Sequence, residues 1–432
     1  MFRPHGKLES VYKSGLIAVL FRLVFIGEGV PMRNRWPLVA LCLALTVIML
    51  RKLGVQMMRL DGDLSVYYHS ANELTSGQTP YYAGTHYIYP PLFAWLIAPF
   101  AILSPVGYAI AWGLLLGACW VASVILVRRL TGDQGWLVDV VPSVLLFRAI
   151  WNGWGHGQVS LLMSAMLLAF LVLERERKLI QATFWLAFAG ALKVFPFYMG
   201  VVLLAPGNFR YIPVLGVWTL ALTVLPALTH GMQFLYSLVV DGFFGWGMAR
   251  INAEHGLIVN HAPVPHLFQV LGIDSHGALK VALLVCMVVV TALVLIARRP
   301  REERERDNLY LSFALTSCLM VCPHVWMHYF TLLLLPVAAA LVFIRNHRGS
   351  FETRVLTAGL VVSGLAFNAG SKLLVSTATS AWCDEIGVAA VGLFALWLAL
   401  AVVVVRRGSV AVPAEKPGIG LPDSGLSDVS LA

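Results

Sequence analysis

Two aspartates stand two residues apart, Asp61 and Asp63, in a polar stretch that directly follows a long apolar run. An ionised aspartate can remove a proton from a hydroxyl group as that hydroxyl attacks, which is general-base catalysis. Two carboxylates at this spacing could also hold a divalent cation, because hard cations prefer oxygen ligands. A third alternative is a turn or a helix cap, since Asp-Gly pairs favour turns. The residue types leave these three readings open.

A glycine-rich stretch, WNGWGHGQVS at residues 151–160, carries His156 and Gln158. Small residues let a ligand approach the backbone closely, and the indole rings can stack on a sugar. The alternative is a turn in the aromatic belt at a membrane surface.

Lys193 lies in the stretch GALKVFPFY, three residues before Pro196. A charge inside a membrane is costly, so it usually lines a cavity or has a partner. Phosphate suits a lysine well. The alternative is that Lys193 extends its ammonium group to the membrane surface without binding anything.

His324 and His328 are four residues apart in VCPHVWMHYF, and this spacing places both on one face if the stretch is helical. The pattern is not HExxH, and nothing indicates the third ligand that zinc would need. Hydrogen bonding to a phosphate or a sugar suits the pair better, and two histidines without a ligand are the alternative. We expect NHAPVPH, with Asn260 and His261, on the same face.

The composition determines the class of protein. Of 432 residues, 59% are hydrophobic and 12% are charged, and the mean hydropathy is +0.79. A soluble surface cannot be built from this chain, and apolar runs near the length of a membrane span recur from end to end. The net charge of +9 is spread over short gaps between these runs rather than along a nucleic-acid-binding stripe. The sequence therefore predicts an all-α polytopic membrane protein.

Most of the 31 lysines and arginines fall on one side when the N-terminus is placed in the cytoplasm. This orientation predicts about 12 transmembrane helices with both termini cytoplasmic. Residues 89–105 must then form a helix at the outer interface, which the Pro-Pro start permits. Residues 179–205 are read as two short spans or one re-entrant hairpin. The apolar runs behind this count are 36–53, 106–127, 137–150, 159–173, 212–229, 277–297, 308–322, 327–344, 355–373 and 386–405.

The predicted organisation has three parts. Residues 1–35 form a cytoplasmic or interfacial N-terminal segment, residues 36–407 form one membrane domain, and residues 408–432 form a disordered cytoplasmic tail. The first outer loop covers residues 59–105. Most histidines and several acids fall on outer segments, which indicates an active site at the extracytoplasmic interface or, alternatively, merely polar outer loops. The inner acids are mixed with bases, as in residues 174–178 and 298–306, and we expect them to form solvated faces.

Five stretches follow one another in one order along the chain, namely DLSVYYHSANELTSGQTPYY, YIYPPLFAWLIAPFAIL, GQVSLL, GALKVFPF and, more weakly, PHVWMHY. Together they resemble glycosyltransferase family 87, whose members are membrane enzymes with the GT-C fold. The resemblance implies that Asp63, in its Asp-Leu-x-Val-Tyr context, is the catalytic aspartate and outranks Asp61. The sequence departs from the family pattern after Gln158 and around Asn260, which leaves the acceptor open.

The resemblance also implies an activity. The chain would transfer a sugar from a polyprenyl-phosphate-sugar donor to a hydroxyl of a lipid or glycan at the outer face of the cell membrane. The expected sugar is mannose, and the transfer would invert the anomeric configuration. Neither a cofactor, a divalent metal nor nucleic acid is expected. The residues expected to bind the substrates are Lys193, Gln158, His156, His324, His328, Tyr67 and Arg59. The rival hypotheses are a transporter or flippase, a structural membrane protein, and a ligase with a pyrophosphate-linked donor.

Overall fold

The structure is a computed structural model that describes residues 36–59, 62–82, 86–133, 135–204, 208–247, 261–264, 285–294, 299–322, 324–372 and 374–408. Every regular element within these ranges is helical, and none of the described residues lies in a β-strand. The predicted all-α class is therefore confirmed. Residues 1–35 and 409–432 lie outside the described residues, so the N-terminal segment and the tail stay predictions.

The first half of the chain contains the helices that carry most of the candidate residues. In chain order they are α1 (Trp36–Met58), α2 (Asp63–Thr75), α3 (Pro91–Ile97), α4 (Pro105–Thr131), α5 (Trp136–Asp139), α6 (Val141–Leu145), α7 (Phe147–Gly155), α8 (Ser160–Arg175) and α9 (Leu179–Leu192). A 3₁₀ segment, Ala98–Ile102, continues α3, and another, Phe195–Leu204, follows α9.

The second half continues with helices that pack around the first. They are α10 (Ile212–Val224), α11 (Ala227–Tyr236), a π-helical segment (Ser237–Gly247), α12 (Val285–Val294), α13 (Arg304–Met320), α14 (Leu334–Asn346), α15 (Phe351–Ala369), α16 (Thr377–Glu385) and α17 (Val388–Gly408). The 3₁₀ segment Met327–Leu333 leads directly into α14.

Among the described residues, three helices are long and apolar enough to cross a membrane, namely Pro105–Thr131, Met327–Asn346 and Val388–Arg407. A fourth span is obtained if α7 and α8, which are bent by 118° relative to each other, are taken together. The chain is therefore a membrane-integral protein. The larger count of about 12 spans stays a prediction.

Three predicted segments differ in detail from single straight helices. The apolar run 137–150 is divided among α5, α6 and the start of α7. Residues 91–102 form a helical segment of two short pieces, and twelve helical residues cover about 18 Å, less than the ~30 Å of hydrocarbon. Its place at the outer interface stays a prediction. Residues 179–205 break at Lys193, where the backbone is extended between α9 and a 3₁₀ segment.

Helices α15 and α17 pack against each other and expose apolar side chains on their outer faces. Ser363 donates a hydrogen bond to the carbonyl of Gly392 at 2.7 Å, across their contact. Leu365 is 70% exposed, and Val391 and Leu398 are also exposed. Exposed apolar side chains of this kind are what a lipid-facing helix pair requires.

Helix α8 is the central helix, because every residue from Ser160 to Glu174 is buried. With 16 residues it is about 24 Å long. Its first residue adjoins the candidate site, and its last turn enters a buried ionic network at the other end.

That ionic network corrects one expectation from the sequence. Glu174, expected on a solvated face, is buried and pairs with Arg299 at 2.6 Å and with Arg301 at 2.8 Å. Asp307 is likewise buried, between Arg299 and Arg175. Acids and bases that alternate along the sequence are thus partners between the end of α8 and the segment that runs from Arg299 into α13, where their charges offset one another away from water.

Candidate active site

Asp63 is the first residue of α2, and the residue before it determines how the helix begins. Gly62 has φ 76° and ψ −177°, a backbone conformation that residues with a β-carbon rarely adopt. The turn places the Asp63 carboxylate at the N-terminus of a 13-residue helix, where the backbone N–H groups favour a negative charge.

The turn between α7 and α8 delivers Gln158 to this carboxylate. Gly157 has φ 69°, and a β-carbon at this position would lie 3.0 Å from Leu64 of α2, so the two elements can approach only with glycine here. Gln158 is 5% exposed, and its amide nitrogen donates a hydrogen bond to the Oδ2 atom of Asp63. The glycine-rich turn thus contacts the candidate base through a side chain.

Two tyrosines fix the other end of the Gln158 amide. The hydroxyl of Tyr89 donates to the Oε1 atom of Gln158 at 3.0 Å, and that of Tyr67 lies 3.3 Å from the same atom. The two hydroxyls are 2.6 Å apart. Tyr67 and Gln158, both predicted to bind substrate, are buried and contact each other, and Gln158 also contacts Asp63.

The charges near Asp63 are positive. Burial of the carboxyl raises the pKa of Asp63 above its ordinary value, although one side of the residue is exposed to solvent. His156, the hydrogen bond from Gln158, Lys193 and His86 each lower that pKa in part. Asp63 is therefore a carboxylate in a partly dehydrated place, surrounded by groups that stabilise its ionised form.

Lys193 lies at the end of α9 and is directed at aromatic groups. Its ammonium group donates a hydrogen bond to the hydroxyl of Tyr329 and lies 4.6 Å from the ring centre of Tyr89. The ring of Phe195 stacks on Tyr329 at 4.9 Å. Within the described residues no carboxylate lies in ion-pair distance of Lys193, so the cation is held by ring faces and a hydroxyl.

His328 is held by α7. Its Nδ1 atom lies 3.3 Å from the Oδ1 atom of Asn152, and its ring is parallel to that of Trp326. The ring is buried, and its Nε2 atom has no hydrogen-bond partner among the described residues. The charges of Lys193 and His156 act on His328, which places it in the same site.

The stretch between His324 and His328 is not helical at its start, so the condition under which the two histidines would share a helical face is not met. The 3₁₀ segment begins only at Met327, and residues 324–326 are not helical, so the spacing of four by itself says nothing about a shared face. His261 does reach this region, since its backbone N–H donates to the carbonyl of Val325 at 2.8 Å.

Comparison with known families gives a match on this part of the chain. The model of glycosyltransferase family 87 matches residues 87–323, more than half of the 432 residues. The chain belongs to glycosyltransferase family 87. The match includes His156, Gln158 and Lys193, whereas Asp63 precedes it and His328 follows it. No curated protein and no solved structure matches the chain.

Of the remaining predicted residues of this family 87 protein, the structure describes Arg59, which is not brought into the site. Arg59, at the end of α1, is exposed, and its side chain forms no hydrogen bond or ion pair with the described residues. Asp61 and Asn260 lie outside the described residues. Within the described ranges, no three His, Cys, Asp or Glu side chains are grouped closely enough to hold a metal ion.

Sequence reasoning missed four residues of the candidate site, which are Tyr89, Tyr329, Asn152 and His86. Tyr89 stands in the YIYPP stretch that carried the family resemblance, but that stretch was read only as an interfacial helix. Tyr329 and Asn152 adjoin His328 and Trp151, and the aromatic or amide character of a residue does not reveal a partner more than a hundred residues away. His86 had no signal beyond its place in the first outer loop.

Proposed function

We propose that this family 87 protein transfers a sugar from a polyprenyl-phosphate-sugar donor to a hydroxyl of a lipid or glycan acceptor. The proposed sugar is mannose, the transfer inverts the anomeric configuration, and Asp63 is the general base. The fold would be of the GT-C type. The observation that supports the proposal most is the carboxylate of Asp63, which is held by Gln158 and faces cationic or titratable neighbours.

The chemistry requires one base and a means of stabilising the leaving group. The acceptor oxygen attacks the anomeric carbon and its proton passes to Asp63. The bond between that carbon and the phosphate oxygen breaks, and polyprenyl phosphate leaves with the electron pair. Negative charge therefore grows on the phosphate as the reaction proceeds, and a cation placed there lowers the barrier. No nucleotide and no metal ion takes part in this scheme.

Lys193 is the residue that would bind the donor phosphate. Its ammonium group has aromatic and hydroxyl neighbours but no ion-pair partner among the described residues. A cation in such a place is stabilised by an anionic ligand, and its charge already acts on Asp63. The phosphate and the base would then lie in the same site.

His328 would contact the sugar rather than the phosphate. The amide oxygen of Asn152 can only accept a hydrogen bond, so the Nδ1 atom of His328 donates to it. In the neutral ring the Nε2 atom then carries a lone pair, which can accept a hydrogen bond from a hydroxyl. An ionised phosphate oxygen has no proton to donate, whereas a sugar hydroxyl has one.

The proposal includes a position in the cell, which charge and polarity support. The site would face the extracytoplasmic side of the cell membrane, with both termini in the cytoplasm. Helix α8, about 24 Å long, separates two polar regions, and this supports the arrangement. Its first residue adjoins the candidate site, and its last turn adjoins the ionic network.

The assay that tests the proposal uses purified protein, a radiolabelled polyprenyl-phosphate-mannose and a membrane lipid extract. We expect the label to move into an acceptor fraction while polyprenyl phosphate is released. Parallel reactions with glucose- and arabinose-charged donors identify the sugar, and a pyrophosphate-linked donor should be inert. An unconsumed donor that crosses a vesicle bilayer only when the protein is present would instead establish a flippase.

A further inference from the structure

The amide group of Gln158 is held at both ends by different partners. Its nitrogen donates to the carboxylate of Asp63, and its oxygen accepts from tyrosine hydroxyls. If the amide rotated by 180°, its oxygen would face the carboxylate and the hydrogen bond to Asp63 would be lost. The carboxylate and the tyrosine hydroxyls therefore hold the Gln158 amide with its nitrogen towards Asp63.

The hydroxyl protons give the hydrogen bonds a direction. Tyr67 and Tyr89 have one hydroxyl proton each, and there are three short contacts at 2.6, 3.0 and 3.3 Å. One proton serves the 2.6 Å contact between the two hydroxyls. The other serves Gln158, and the shorter contact to its oxygen is the one from Tyr89. The direction is therefore from Tyr67 to Tyr89, from Tyr89 to Gln158, and from Gln158 to Asp63.

We propose that Tyr67, Tyr89 and Gln158 form a one-way hydrogen-bond relay that positions the carboxylate of Asp63 and stabilises its ionised form. Tyr89 and Gln158 are then positioning residues, because they act on the reaction through Asp63. The relay is a property of the folded chain, and only its catalytic meaning rests on the proposed function.

The rings that carry the two hydroxyls are fixed by packing. Tyr67 contacts Phe93 edge-on at 4.8 Å and Trp112 at 6.2 Å. Tyr89 lies between Phe93, at 4.9 Å, and the ammonium group of Lys193, at 4.6 Å. Burial keeps the pKa of both tyrosines well above their ordinary values, so their hydroxyls stay protonated and can donate at any working pH.

The relay opposes the effect of burial on Asp63. Dehydration favours the protonated carboxyl, and each hydrogen bond that points at the carboxylate favours the ionised form. The other groups whose charges act on Asp63 are the cationic or titratable side chains of His86, His156 and Lys193, and Tyr329 lies within the same electrostatic environment. These groups remain when the relay is removed, so its own contribution can be isolated.

The experiment measures the protonation of Asp63 without using activity. An apolar carbodiimide labels protonated carboxyl groups, and tandem mass spectrometry distinguishes Asp63 from Asp61 in the labelled peptide. The midpoint pH of labelling is recorded for the full-length wild type, for Gln158→Leu and for Tyr89→Phe. We expect the midpoint to rise by about one pH unit in Gln158→Leu, the size of one hydrogen bond to a charged group. In Tyr89→Phe it should rise by a smaller amount, since Tyr67 can donate to Gln158 instead.

Tyr108→Phe is the matched control. Tyr108 belongs to the same aromatic cluster through Trp112, and its buried hydroxyl has no partner among the described residues. Its removal should leave the midpoint unchanged, and the thermal stability of each variant shows whether the fold persists. No shift in Gln158→Leu, no shift in Tyr89→Phe, or an equal shift in Tyr108→Phe would each overturn the relay.

The same variants separate this inference from the proposed function. If the chain is a transferase, the apparent pKa of the acid limb of the kcat/KM profile should rise by the same amount as the labelling midpoint. If the wild type transfers no sugar but the labelling midpoints shift as expected, the relay stands and the proposed function fails. If the wild type transfers sugar but the labelling midpoints of the variants do not shift, the proposed function stands and the relay fails.

Discussion

The Nδ1 atom of His328 lies 3.3 Å from the Oδ1 atom of Asn152, and this contact leaves the Nε2 atom of the neutral ring as a buried hydrogen-bond acceptor. A buried acceptor without a donor lowers stability, and a ligand hydroxyl would satisfy it. His328 should therefore distinguish donors by one particular hydroxyl.

The prediction is tested with donors that each lack one sugar hydroxyl. In the wild type one such donor should react about 10- to 100-fold more slowly, the effect of leaving a buried polar atom unpaired. In His328→Phe, which keeps a ring beside Trp326, all rates should fall, and the complete donor and the donor lacking that hydroxyl should react at the same rate. His324→Phe serves as the control and should keep the difference between the two donors. Unchanged discrimination in His328→Phe would contradict the assignment.

Substitution of the two aspartates separates a base from a metal pair. Asp63→Asn keeps the size and removes the basic lone pair, so transfer should fall by about 10²- to 10⁴-fold while donor binding survives. Asp61→Asn should cost less. Glu73→Gln, on the same helix α2, should have no effect. Equal losses at Asp61 and Asp63, together with inhibition by a chelator, would favour a metal site instead.

The position of Asp63 was predictable because a polar stretch after an apolar run is visible in the sequence. Its contact with Gln158 was not, since 95 residues separate the two and only the sharp turn between α7 and α8 brings them together. Tyr89 was inside a recognised motif, but its hydroxyl acquires a role only through Gln158. The geometry of the site depends on contacts between segments far apart in the sequence, and the periodicity of the sequence does not predict such contacts.

The same limit explains the misjudged charges. A stretch that mixes acids and bases looks alike in sequence whether it is hydrated or buried. Glu174 is buried because Arg299 and Arg301, well over a hundred residues away, supply its partners. Hydropathy and the positive-inside rule, in contrast, depend on local composition, so they indicated the membrane class without any contact being known.

Lys193 should matter for donor binding more than for folding. Lys193→Ala removes a charge-assisted contact to phosphate, so donor affinity should fall by about 10- to 100-fold. Lys193→Arg keeps the charge and should be milder. Lys178→Ala is the control, because Lys178 precedes the opposite end of α9, is exposed, and has Glu176 as its ion-pair partner among the described residues. Donor dissociation constants measured on purified protein decide the matter, and unchanged affinity in both Lys193 variants would leave Lys193 without a ligand role.

Glu174 should be a large contributor to stability at the end of the molecule away from Asp63. Its carboxylate accepts hydrogen bonds from Asn208 at 2.9 Å and Arg301 at 2.8 Å and pairs with Arg299 at 2.6 Å. Removal of one member of a buried ion pair leaves its partner charges unbalanced, which costs about 3–5 kcal/mol. Glu174→Ala should therefore lower the free energy of unfolding by about that amount. Glu176→Ala, two residues further on, removes pairs with the more exposed Arg129 and Lys178 and should cost less than about 1 kcal/mol. Equilibrium unfolding of the detergent-solubilised variants gives both values, and similar losses for the two would show that the buried network does not stabilise the fold.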